Sequence, residues 1–584
     1  MKRDRTPHRP SFLPGTPARS SRPPARRPAV WAGLLLAGVL LSGPAAARAQ
    51  PAGRTQDTKQ ALTAELTDPS QRERIEIGAR LERSRQWRDA IEHYGEALRK
   101  YPESQYLQYG LRRSKIHFDI DRRYSDPSFL DELSRLSVNE TMQLFEDVRG
   151  RVNSHFVEPI GDAALVAHGT ESLWLALANH RFLDHNLFGV DPVALKRLRT
   201  RLHREYWNYD TNRGGGAGAT IYDICRLAQQ EVSLDPSVVV LEYVFGACNC
   251  LDDYSHVLTP GRLDDLTSNI EGEFVGIGIV MESKPGRGMK LINVLPNSPA
   301  AEAGLRPNEW IVAVDGSDTR DMSTDESAGL LTGPSGSTVR LRLQGRDGGI
   351  RDASCVRRQV EVKSIPIVQM LDQEEGVGYV RLTGFQKSTA REMDVALTRL
   401  QAQGMRKLIW DVRGNPGGLL QAATEVLDRF ISEGVLVSTR GRAFDQNSSY
   451  SATAPGTWDG ELVLLIDGHS ASASEIVAGC LRDHGRGTIV GRKSYGKWSV
   501  QSIYPALYES GLRLTTAKFY SPNGHNYGRR TSYDLVYGGL SPDIEVPENE
   551  DDPITPGFDA VDPSDPDVLK AVEVLRTGQQ FSQR

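Results

Sequence analysis

Between residues 376 and 546, apolar runs of five or six residues alternate with stretches of helical periodicity. Val377-Gly378-Tyr379-Val380-Arg381-Leu382 precedes a helical pattern over about 389 to 402. Leu408-Ile409-Trp410-Asp411-Val412 runs into a glycine-rich turn and a helical pattern over about 418 to 431. Leu462-Val463-Leu464-Leu465-Ile466 leads to a third helix beginning near Ser472. Short apolar runs bounded by turns read as buried strands. Their alternation with helices predicts a layered α/β core carrying its active residues on loops at strand ends.

Upstream the pattern changes twice. Residues 272 to 362 read as a β-rich module: Ser298-Pro299 opens a short capped helix, Val314-Asp315-Gly316 is a hairpin turn, and Val339 to Leu343 is a strand. Residues 130 to 270 are mostly helical, with apolar faces at Met142 to Phe145 and Leu173 to Leu177, a glycine loop at 214 to 218, and an insertion near 178 to 232. Residues 57 to 125 are helical too. Gly78, Leu81, Ala90, Tyr94, Ala97 and Pro102 stand at the spacings of one tetratricopeptide hairpin. Since solenoids need several copies, a helical arm is the plainer expectation and a docking surface for a protein partner the sharper one. An acidic, proline-rich linker and a helix over about 567 to 577 fill 547 to 584. The fold class expected is multidomain, α/β and α+β: a layered core with an embedded β-rich module and an N-terminal helical region.

A chain of 584 residues with 39% hydrophobic and 25% charged positions suits several folded domains, and a net charge of −5 gives no reason to expect nucleic acid. Residues 1 to 28 hold eight Lys/Arg against the single acid Asp4, followed by the uncharged run Ala29 to Leu41 and the small-residue pattern Ala47-Arg48-Ala49. This predicts a secretory signal peptide over 1 to 49, or a signal anchor if it is not cleaved. Export to a periplasmic or other extracytoplasmic space follows, with membrane contact only through an uncleaved anchor. Five cysteines leave at least one without an intrachain partner, and no histidine pair stands at metal spacing. Neither metal nor cofactor is expected.

The chemistry concentrates in two segments. Ser472 lies in His469-Ser470-Ala471-Ser472-Ala473-Ser474-Glu475-Ile476, and 25 residues on Lys497 lies in Tyr495-Gly496-Lys497-Trp498. A serine hydroxyl attacks only when a base takes its proton, and lysine serves once desolvation lowers its pKa. Tyr495, Trp498 and Val500 offer an apolar wall for that amine. Gln501, four residues after the lysine, shares a face with it in helix or strand. The turn Gly414-Asn415-Pro416-Gly417-Gly418 offers backbone N–H groups to an oxyanion. Gly491 to Lys497 also has P-loop spacing, but Trp498 stands where the Mg²⁺-binding hydroxyl belongs and the following residues read as extended. Glu475 is balanced between touching the amine and capping. Asp411 and Arg413 read as a structural pair, and His469 and His484 lack a partner acid.

Leu251-Asp252-Asp253-Tyr254-Ser255, Gly276-Ile277-Gly278-Ile279, Asp411 to Leu420, Ser470 to Ile476, Gly496-Lys497 with Gln501, and Thr515 to Gly524 together resemble the C-terminal processing peptidases, or tail-specific proteases, over about residues 240 to 546. The resemblance implies a serine endopeptidase core at 365 to 546, a helical cap at 130 to 270 and a PDZ domain at 272 to 362. It implies Ser472 as nucleophile rather than Ser470 or Ser474, Lys497 as general base, Gln501 orienting the lysine, and Gly418 and Ala473 N–H groups as oxyanion donors. Phe274, Val275, Gly276, Ile277, Gly278 and Ile279 would form the PDZ loop that accepts a terminal carboxylate, beside a strand open to β-augmentation. Substrates would be proteins or peptides with free C-termini. Trp498 departs from the small residue the family usually has there. The rival reading is a non-catalytic binding protein on the same fold, as in retinoid-binding proteins; the intact Ser472, Lys497 and Gln501 speak against it.

Overall fold

The computed structural model describes residues 68–578 apart from 212–214, 285, 321, 323, 454–456, 530–537 and 548–559. The expected signal segment at 1 to 49 and most of the acidic linker lie outside the described residues.

Three helices form an arm: α1 (Pro69–Arg83), α2 (Trp87–Lys100) and α3 (Gln105–Arg123). Asp68 caps α1 by accepting from the N–H of Ser70 and Gln71, with Pro69 in the first turn where its missing N–H costs nothing. Tyr94 is the wedge between them. A Cβ on Gly78 would lie 2.3 Å from its ring and one on Gly110 2.4 Å, so only glycine lets both neighbouring helices close on the tyrosine.

Next come α4 (Val138–His155), begun by a Ser137/Glu140 capping box, and α5 (Asp162–Ala176), which packs on α6 (Pro236–Ala247). Both α5 and α6 are buried nearly all round, polar side chains included, as helices enclosed on every side are. The insertion forms helices His180–Asn186, Pro192–Arg201 and Ala217–Val232. Buried ion pairs join arm to cap: Arg123 to Glu242 and Arg112 to Glu171.

Strand β1 (His256–Leu258) and a helix, Pro260–Glu271, lead to β2 (Glu273–Gly276) at the neck of the β-rich module. Its sheet runs β3 (Ile279–Lys284), β4 (Gly288–Val294), β5 (Trp310–Val314), β7 (Thr338–Gln344), β8 (Ile350–Val356), with β6 (Ser317–Asp318) in a hairpin on β5. Asp315 and Gly316, at φ of 47° and 87°, make that tight turn. The short helix α7 (Pro299–Glu302) is capped by Ser298. Strand β9 (Arg358–Glu361) returns to pair antiparallel with β2, and β3 is left as a sheet edge.

The core sheet has the order β10 (Ile367–Asp372), β11 (Val377–Arg381), β12 (Lys407–Asp411), β15 (Glu461–Ile466), β16 (Thr488–Gly491), β19 (Ile544–Glu545), parallel from β11 onward. Buried on both faces, its strands are continuous apolar runs. Leu408 and Trp410 point to the face covered by α8 (Thr389–Ala402), α9 (Leu420–Leu427) and α10 (Ala473–Asp483). Ile409 points to the face covered by α11 (Pro566–Thr577). A second sheet holds β13 (Val435–Gly441), β14 (Ser448–Ser451), β17 (Ser499–Pro505) and β18 (Gly511–Tyr520). Strand β1 pairs with β18, so cap and core share this sheet.

Candidate active site

Strand β15 ends at Ile466, and Asp467 shapes the turn into α10: its Oδ1 accepts from the N–H of Gly414 at 3.0 Å, His469 at 3.0 Å and Ser470 at 2.9 Å. The two neighbouring serines are engaged structurally. Ser470 Oγ donates to Val412 O at 2.9 Å, and Ser474 Oγ to Asn415 O at 3.0 Å. Ser472 stands between them at the head of α10 with φ 55° and ψ −114°, a left-handed conformation that a side chain adopts only under constraint. Such a strained strand-to-helix turn presents a nucleophile at the top of a sheet.

Glu475 supplies the constraint. Its fully buried carboxylate accepts from Ser472 N at 2.9 Å, Ser494 Oγ at 2.6 Å, Gly496 N at 2.6 Å and Lys497 N at 2.7 Å. It therefore holds the backbones of both segments. Burial pushes its carboxyl upward while these four bonds pull the other way.

The glycine turn is locked against the serine. Asn415 Oδ1 accepts from Gly417 N at 2.8 Å, and Ala471 N donates to Asn415 O at 3.0 Å. A Cβ on Gly417 would lie 2.7 Å from Ser472 Cβ, and one on Gly418 2.2 Å from Phe385 O. Phe385 accepts from Leu419 N and donates to Gly417 O, which skips Gly418. Among the described residues, neither the Gly418 nor the Ala473 N–H has a hydrogen-bond acceptor.

Lys497 arrives from β16 through the segment that Glu475 grips. Its Nζ lies 4.9 Å from the centroid of the Tyr254 ring, beside Tyr495. Burial, and then the Arg513 guanidinium, lower its pKa to about 8, against the pull of Asp252 and Glu475. Asp252 Oδ1 accepts from Tyr254 N at 3.1 Å, Arg513 Nε donates to Tyr254 O at 2.9 Å, and Ser255 Oγ accepts from Thr515 N at 3.0 Å. Asp253 is paired with Lys115 of α3 at 2.7 Å, so the arm reaches the loop that walls the lysine.

Ser472 Oγ and Lys497 Nζ are not hydrogen-bonded to each other; the amine faces Tyr254. Two expectations change. Gln501 does not touch the lysine: its Nε2 donates to Ser499 Oγ at 2.8 Å and Thr515 Oγ1 at 3.3 Å. Lys497 lies outside β17, so strand alternation does not relate it to Gln501; the register shift opposite Val500 and Gln501 comes from the extra residue Thr516 on β18. Nor is Phe274 to Ile279 one loop. Phe274, Val275 and Gly276 belong to β2, laddered with β9, and Ile279 begins β3. Only Ile277 and Gly278 are turn, with Gly278 at φ 78° against Ser298.

The lysine's wall is not the expected one either. Trp498 is buried against Gly479 of α10 and meets Tyr527 edge to face at 4.9 Å. Tyr254, Asp252 and Arg513 surround the amine instead; the sequence signal for the first two was the Leu251 to Ser255 block, whose role its residues did not disclose. Asp411 and Arg413 are the ion pair expected, at 2.7 Å, with Tyr379 Oη donating to Asp411 at 2.6 Å. His484 Nε2 is engaged with Val435 O at 2.8 Å. All five cysteines are free.

Residues 376–546 match the model of peptidase family S41, and residues 292–345 that of a PDZ domain. The chain is 34% identical over 303 residues to a carboxyl-terminal-processing protease of Picosynechococcus sp., covering 51% of this chain and 70% of that one. It is 33% identical over 329 residues to a carboxy-terminal-processing protease of Bartonella bacilliformis, covering 55% and 73%. Among solved structures, a photosystem II D1 C-terminal processing protease aligns at 24% identity and a TM-score of 0.37, covering 70% of this chain and 92% of that one.

Proposed function

The chain belongs to the carboxyl-terminal-processing proteases, serine-type peptidases of family S41, and from that premise we propose an exported endopeptidase that cuts protein substrates near their C-termini with a Ser472/Lys497 dyad. The observation that carries the dyad is the pairing of a strained Ser472 with a lysine whose pKa is lowered to about 8, both held by Glu475. Neutral Lys497 takes the Ser472 proton as Oγ attacks the scissile carbonyl. The N–H groups of Gly418 and Ala473 receive the oxyanion. The lysine ammonium then protonates the leaving amine as the peptide bond breaks; Lys497, neutral again, takes a proton from the water that attacks the acyl ester and gives it to Ser472 Oγ as the acid product leaves. Substrate brings Lys497 from Tyr254 onto Ser472, since catalytic hydrogen bonds commonly tighten only in the complex.

The rate should rise with pH as Lys497 loses its proton, with a half-maximum near 8. Asp252 holds the proton on the lysine, so Asp252→Asn, whose amide oxygen still serves Tyr254 N, moves the rising limb to lower pH. A pH–rate profile of kcat/KM on a fluorogenic peptide reads this. A limb that stays put would remove Asp252 from the lysine's field; a rate that does not rise between about pH 7 and 9 in either enzyme would remove Lys497 from the role of base.

For the PDZ domain the proposed ligand is a substrate's free C-terminus. The edge strand β3 has a free side for an added strand, and the Ile277-Gly278 turn lies at its start. Ser472→Ala enzyme should bind an apolar-ended peptide at least several-fold more tightly as the free acid than as the amide, because amidation removes a charge-assisted acceptor. Equal affinities by calorimetry would leave the domain a structural module.

A further inference from the structure

A second carboxylate reaches the catalytic loops from behind. Asp567 lies in the first turn of α11, 1% exposed, after the cap residue Asp565. Its Oδ2 accepts from Arg413 Nη1 at 2.7 Å and from Arg492 Nη1 at 2.6 Å. Arg413 immediately precedes the glycine turn that ends in Gly418. Arg492 immediately follows β16 and opens the segment that ends in Lys497. The other oxygen, Oδ1, is buried without a partner. Leaving such an oxygen unpaired is unfavourable, which marks this carboxylate as held where it is by the two guanidinium groups and by the positive end of the helix.

Resting on the dyad reading, we infer that Asp567 is a positioning residue of the peptidase, yoking the oxyanion turn to the lysine segment across the back of the sheet. The segment 492 to 497 is then pinned at both ends, by Asp567 at Arg492 and by Glu475 at Gly496 and Lys497. The two arginines depend on it unequally. Arg413 keeps Asp411 and Asp565 if Asp567 is lost, whereas the Arg492 guanidinium keeps, among the described residues, only a 3.4 Å contact with Pro547 O, its backbone N–H remaining on Ile466 O at 3.0 Å. Loss of Asp567 should therefore disturb the placement of the lysine more than that of the oxyanion donors. Ground-state binding of the peptide is touched by neither.

Full-length Asp567→Asn should lose kcat by on the order of 10²-fold, the scale of a roughly 1 Å misplacement, with KM within about twofold of wild type. The control is Leu575→Ala, which removes core packing from the far end of the same helix without touching either loop. It should lower Tm at least as far and keep kcat within about twofold. Should Asp567→Asn fail to fold, Arg492→Met removes the same tie from a side chain that is 13% exposed and should reproduce the kcat loss. The inference is overturned if Asp567→Asn or Arg492→Met keeps wild-type kcat, or if Leu575→Ala loses as much as they do, since the helix would then matter only for stability. Ser472→Ala run in parallel separates the two levels: residual turnover there refutes the dyad itself, whereas an inert Ser472→Ala beside a fully active Asp567→Asn refutes only the yoke.

Discussion

Ser472→Ala and Lys497→Ala each lose peptide-bond turnover by on the order of 10⁴-fold or more, and the double variant loses little beyond either one, because the two groups act as a unit. Without Ser472 there is no acyl acceptor at this position, since Ser470 and Ser474 are hydrogen-bonded to the backbone of the glycine-turn segment. Without Lys497 no neighbour replaces the base. The Tyr254 phenol is pushed up by burial and stays protonated, Glu475 is engaged by four donors, and the His484 ring is tied to Val435 O. Initial rates on a fluorogenic peptide, with circular dichroism as the check on folding, decide it. Full activity of Lys497→Ala at neutral pH would end the lysine-base mechanism.

Glu475→Ala has the largest expected effect on stability. Three buried donors and the part-buried Lys497 N–H lose their acceptor at once, and at about 1 kcal/mol for each stranded group the loss is about 4 kcal/mol, a large part of a domain's stability. The serine turn should relax as well, because Ser472 holds φ 55° with its N–H fixed by that carboxylate. Turnover should then fall by at least 10²-fold even at temperatures where the variant is folded, on the order expected for a misplaced nucleophile. Urea melts and rates taken together test both parts. A wild-type midpoint for Glu475→Ala would show that the four donors have found other acceptors, and the clamp would have to be abandoned.

The core was legible because parallel strands enclosed on both faces must be apolar throughout, so Leu408 to Val412 and Leu462 to Ile466 declare themselves without partners being known. Ser472 was singled out by the resemblance and not by the local run, because Ser470 and Ser474 stand in the same small-residue turn. Glu475 was not legible. Its four donors include groups 19 to 22 residues away along the chain, and no local spacing distinguishes a carboxylate that gathers amides from one that caps a helix. Tyr254 faces a lysine from a different sheet-joining segment altogether. Spacing misled at Gln501, because Lys497 lies outside β17 and strand alternation does not reach it, and the resemblance misled at Phe274 to Gly276, which ladder with β9 some 85 residues on. Periodicity reports which face a residue occupies; it does not report where a strand begins.

The pairing of Arg413 with Asp567 also sets an order of events during synthesis. The two residues are separated by 154 positions, so the ribosome delivers the guanidinium long before the carboxylate. At about 5 to 20 residues per second, the interval is on the order of ten seconds. Strands β12, β15 and β16, with Ser472 and Lys497, have all been made by then. From the synthesis of Lys497 until Asp567 follows, the oxyanion turn and the lysine segment lack the Asp567 anchor behind the sheet. If Asp567 yokes the two loops as inferred, a peptidase of this design has its strands in place before it is competent, and competence would come with the docking of α11.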